Sequence, residues 1–221
     1  MPAPKRAGQA LILGILLPLV ILGMHPTAHD LTADASNHMT AINHFVHGVA
    51  LASQPVILFG LLGLSAYLGW SDLATGAFIL YALSVVSMAT AALMSGFVTS
   101  DLVAATRDPT SPVASQSFAL LAYSHYINQA FAKLAIVAAG VAIIMWSVEE
   151  RRSRRFPATT LLAGAVAGAI LCVGVLWGRL VLDVRGIIFA TALQALWMVL
   201  VAARLLREPA QAAAAVPTAP L

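Results

Sequence analysis

The sequence predicts an all-α fold: a polytopic transmembrane helical bundle of six spans, with N- and C-termini cytoplasmic. Three observations predict it. Hydrophobic residues make up 60% of the chain and charged residues only 10%, with a mean hydropathy of +0.89. The apolar residues gather into runs long enough to cross a bilayer core, which takes about 20 residues of helix. These runs lack the period-two alternation of strands, and a helix satisfies its own backbone groups in lipid.

Six spans are expected over about 8–24, 45–69, 73–98, 118–147, 158–178 and 186–203, forming one membrane domain over 1–207. The first follows Lys5 and Arg6 and resembles a signal peptide in outline, but HPTAHD is a weak cleavage site, so a retained helix is expected. The second contains Pro55, which should kink it and free a carbonyl one turn earlier. The third carries the small hydroxyls Ser84, Ser87, Thr90 and Ser95, which serve helix–helix contact. The fifth contains Gly164 and Gly168 in GAVAG, a close-packing pair. The sixth shows Thr191 and Gln194 on one face. The tail 208–221 is low-complexity and expected to be disordered.

Basic residues set the expected sidedness. With the N-terminus inside, the cytoplasmic segments hold eight of them: Lys5, Arg6, Arg151, Arg152, Arg154, Arg155, Arg204 and Arg207. The other side holds three, Arg107, Arg179 and Arg185. This obeys the positive-inside rule. The ERRSRR cluster is therefore a topology determinant, and no nucleic-acid partner is expected. The expected address is a bacterial inner (plasma) membrane. All six histidines then fall on the extracytoplasmic side or at the outer ends of spans, with Asp30, Asp34, Asp101, Asp108 and Asp183.

Two polar stripes stand out. In INHFVHG and the residues after it, His44, His47 and Gln54 lie near one face of span two. In span four His125, Gln129 and Lys133 follow at four-residue intervals. Lys133 is the one charged side chain inside a predicted span, expected near the midplane about 12 Å below His125. If spans two, four and six converge, these residues line an outward-opening cavity with Lys133 as its floor.

Such a site suits haem b, with axial imidazoles, or a transition metal, which would make the chain a redox or metal-handling protein. The loop offers a separate metal set: His25, His29, Asp30 and His38, with Met24 and Met39 as thioethers suited to copper. A zinc hydrolase site from His44, His47, His125 and Asp101 lacks any fixed spacing, and no sequence motif assigns an enzyme activity. Lone Cys172 excludes an intrachain disulfide. The competing readings are a carrier for a small anionic or quinone-like molecule and a non-catalytic accessory subunit. The latter would bind a membrane-protein partner through the outer connections 25–43 and 99–117.

Overall fold

The computed structural model describes residues 2–26, 38–106, 110 and 114–208. Six helices are long and apolar enough to cross a membrane: α1 (Pro4–Leu22), α2 (His38–Tyr67), α3 (Asp72–Ala105), α4 (Ser117–Ser153), α5 (Ala158–Leu176) and α6 (Val184–Arg207). No strand occurs among the described residues. These lengths and compositions support a multi-pass membrane protein.

Helices α2, α3 and α4 run further than the sequence predicts. His38 already begins α2, and α3 continues to Ala105, so part of both outer connections is helical. The rest of those connections, 27–37 and 107–113 apart from Thr110, lies outside the described residues, as does 209–221 of the predicted tail. Glu208 is ordered: it accepts from the Tyr67 hydroxyl at 2.6 Å and pairs with Arg204 at 2.5 Å. Helix α2 passes through Pro55 without interruption, while Ser53 Oγ and Gln54 Nε2 donate to the carbonyls of Val49 and Ala50 one turn earlier.

The helices form a ring. Each packs mainly on its chain neighbours, and α6 closes the ring against α1. Small residues set the closest approaches, because without water as a driving force helices associate by van der Waals fit. Gly14, Gly60 and Gly63 let α1 and α2 meet at Ile57, Leu11 and Ala7, and Gly8 lies against Ala202 of α6. Gly140 of α4 and Gly168 of α5 meet backbone to backbone. Local chemistry fixes two helix starts: Ser71 Oγ caps α3 through the amide of Ala74, and Asp183 caps α6 through that of Gly186 at 2.8 Å.

At the end carrying both termini the ring is filled. Trp146 and Trp197 are fully buried and stacked, with centroids 5.8 Å apart, among Leu61, Leu64, Met198 and Leu205. Trp146 Nε1 donates to Ser65 Oγ at 3.1 Å, crossing from α4 to α2. A polar clasp closes this end: Arg155 lies over the Tyr67 ring and donates to the Tyr67 carbonyl, and Arg204 Nε donates to Arg155 O.

Candidate functional site

At the other end the ring encloses a cavity of about 640 Å³. Its existence follows from side-chain size. Among its larger lining residues stand many small ones, Ala50 on α2, Ser84, Ala91, Ala92 and Ser95 on α3, Ala132 on α4 and Thr191 on α6, which do not reach across the ring. The floor is the Tyr81 hydroxyl of α3, donating to Gln194 Oε1 of α6 at 3.2 Å, with Trp146 beneath it.

The wall on α2 is built by Asn43, His47, Ala50, Gln54 and Ile57. Opposite it α3 changes from α to π geometry at Met94–Val98. A π-turn loosens the backbone ladder and marks a position needing outside support. Asn43 supplies it, its Nδ2 reaching the carbonyls of Ser95 and Gly96, each at 3.1 Å, and Ser100 Oγ at 2.6 Å. His47 packs on Gly96 so closely that any Cβ there would strike the imidazole. Its Nδ1 lies 2.9 Å from the Asn43 carbonyl, which can only accept, so Nδ1 carries the proton. Nε2 then accepts from Ser95 Oγ at 2.8 Å.

His25, just past α1, also lines the cavity, its ring edge-on to His47 with centroids 4.9 Å apart. Its Nδ1 donates to Pro26 O at 2.7 Å, which leaves Nε2 as a free acceptor. Burial lowers its pKa from the ordinary 6.5, against the opposing pull of the Pro26 bond, so it is neutral at pH 7. His125 and Asn128 of α4 complete the polar rim with Asp183 and Arg185, and Asn128 is held by its bond to Ala91 O at 2.8 Å.

Of the residues expected in one site, His47, His125 and Gln54 line this cavity, together with His25 from the loop set. His44 does not: it stacks on Phe97 at 5.0 Å and faces Asp101 at 3.7 Å, too far for a hydrogen bond. Gln129 also turns away and donates to Leu182 O at 3.0 Å.

Lys133 is not the floor. It is exposed on the outside of α4, beside Val175 and Leu176 of α5. The reason is the helical period: eight residues rotate a side chain by about 80° from His125. The cavity face of α4 runs instead through His125, Asn128, Ala132 and Ile136.

Asn43, Asn128, Ser95 and Tyr81 were not singled out from sequence as site residues. Asn43 stood within INHFVHG four residues before His47, the helical spacing that makes the pair share a face.

For metal binding, no three His, Cys, Asp or Glu side chains gather among the described residues. His29 and Asp30 lie outside them, and His38 is exposed at the start of α2, away from the cavity. Of the described histidines at the cavity, His47 has both ring nitrogens engaged, to Asn43 O and Ser95 Oγ.

Fold and site together define a class: an α-helical multi-pass bundle with a polar-lined cavity at one end and an aromatic plug at the other. No protein-family model, curated protein or solved structure matches the chain.

Proposed function

We propose that this chain is a membrane binding or carrier protein for a small, neutral, amphipathic molecule of quinone-like chemistry. The observation that supports it most is the mixture of walls in one cavity. Ile15, Leu22, Ile57, Ile136 and Ile187 offer apolar surface, while neutral hydrogen-bonding groups stand at two levels. His25 and His47 are outer, and Gln54 is about 10 Å deeper, from seven residues of helix between His47 and Gln54, with the Tyr81–Gln194 pair below it at the floor. A ring with a polar oxygen at each end matches such a site. A small anion is less well served, because Lys133 lies outside and Arg185 shares the mouth with Asp183.

In this proposal the basic end, with both termini, faces the cytoplasm of a bacterial inner membrane, and the cavity opens extracytoplasmically. A haem or metal role remains the competing proposal, and it requires Ser95 to release His47 Nε2. A Soret band or stoichiometric metal in the purified protein would favour it.

Trp146 beneath the floor supplies the test, because quinones quench indole fluorescence. A short-chain, fully ring-substituted benzoquinone should quench saturably. Gln54→Leu should weaken its affinity about fivefold, the worth of one hydrogen bond of about 1 kcal/mol. The Gln54 amide bonds only to its own helix, at 3.4 Å, so the fold should be spared. Linear, unsaturable quenching that the substitution leaves unchanged would refute the proposal.

A further inference from the structure

Lys133 is the cation that the cavity leaves out, and its surroundings have a chemistry of their own. It borders a shallow groove on the outside of the bundle, whose other walls are Leu134 and Val137 of α4 and Val175 and Leu176 of α5. Among the described residues no carboxylate lies within ion-pair distance of it.

Its depth follows from the α4–α5 contact. The two helices run antiparallel, with Cys172 Sγ donating to Val137 O at 3.6 Å and Gly140 against Gly168. Continuing that register sets Lys133 beside Leu176, the last residue of α5. The next residue, Trp177, is 76% exposed. An exposed indole at a helix end marks the boundary between hydrocarbon and headgroups. Lys133 therefore stands at headgroup level rather than at the midplane, with apolar side chains on the side that enters the bilayer.

We infer that this groove is a docking site for one membrane phospholipid. Its phosphate is received by the Lys133 ammonium, and an acyl chain lies along Leu134, Val137, Val175 and Leu176. Charge complementarity selects this occupant. Lys133 has no carboxylate partner among the described residues, and phosphate is the anion that a bilayer presents at headgroup level. The apolar walls account for the part of the ligand that a free phosphate lacks. The site lies on the opposite side of α4 from the cavity-lining residues and does not depend on what the cavity holds.

Native mass spectrometry of the full chain in non-ionic detergent, titrated with phosphatidylglycerol, tests the site. The native chain and Lys133→Arg should each retain one lipid. Lys133→Met and Leu134→Trp should bind at least tenfold more weakly; the first removes the charge and the second fills the groove. Lys133 and Leu134 are both exposed on the bundle surface, and the thermal midpoint without lipid should move little for either change. Equal retention by Lys133→Met would overturn the proposal. So would undiminished binding by Leu134→Trp, or displacement of the lipid by inorganic phosphate at equal concentration, which would mean an ion site alone. A co-purifying protein held through Lys133 in place of lipid would also overturn it.

Discussion

At the basic end of the ring, Trp146, Trp197, Leu64 and Met198 meet in the middle and leave no room. At the histidine end five of the same helices hold about 640 Å³ open, where alanines and serines take many of the inward positions. Polar chemistry is also divided differently. The basic end carries a clasp of charged groups, where Arg155, Arg204 and Glu208 tie α2 and α6 to the α4–α5 turn, and it also buries Glu150 of α4 fully. The histidine end turns neutral groups inward, braced by Asn43 and His47 on the π-turn of α3. One end is built for stability, and the other gives up packing for a lined space.

Substitutions at the two ends should therefore differ in kind. The largest effect is expected at the plug. Trp197→Ala removes a fully buried indole stacked on Trp146 and should cost about 3–5 kcal/mol, read as a lower unfolding midpoint in detergent. A loss under about 1 kcal/mol would mean that this end is not close-packed. Next comes Gly96→Val, which drives a branched side chain into the His47 ring. It should cost about 1–3 kcal/mol by overpacking and also lower ligand affinity, since His47 and Asn43 hold that wall. Lost stability with unaltered affinity would separate the π-turn from the site.

The smallest expected effect is on pH dependence. The pKa of His25 is lowered by burial, so its neutral form is the one that packs against His47, with Asp183 and Arg185 at the same mouth. Above the ordinary value of 6.5 this packing is fully present. As pH falls below that value, unfolded chains take up the proton that the folded site resists, so stability declines. The unfolding midpoint should drop between pH 7.5 and 5.5, and His25→Ala should flatten part of that drop. An unchanged profile in the variant would assign the dependence elsewhere.

The six apolar helices were legible in the sequence because hydropathy and length decide spans almost by themselves, whereas their ring arrangement was not. His47, His125 and Gln54 were also legible as one site, since each is polar at the outer end or within an apolar run. Lys133 was not. The four-residue steps from His125 to Gln129 to Lys133 look like a stripe, but the period of 3.6 carries the third member off the face. Asn43 was missed because its role depends on a π-turn fifty residues away, and no local pattern in MSGFV announces one. Only Gly96, breaking an apolar run, hinted that something approaches closely there. His44 shows the converse limit: it is next to Asn43 in sequence and turned about 100° from it.

One measurement tests the difference between the two ends most directly. In a Cys172→Ala background, a membrane-impermeant maleimide is applied to Ala50→Cys, in the cavity wall, and to Ala142→Cys, fully buried near the plug. The account predicts that Ala50→Cys reacts from the histidine side and is protected by the fully substituted benzoquinone, while Ala142→Cys stays unreactive from either side. Equal labelling of both positions, or labelling of Ala50→Cys only from the basic side, would contradict it.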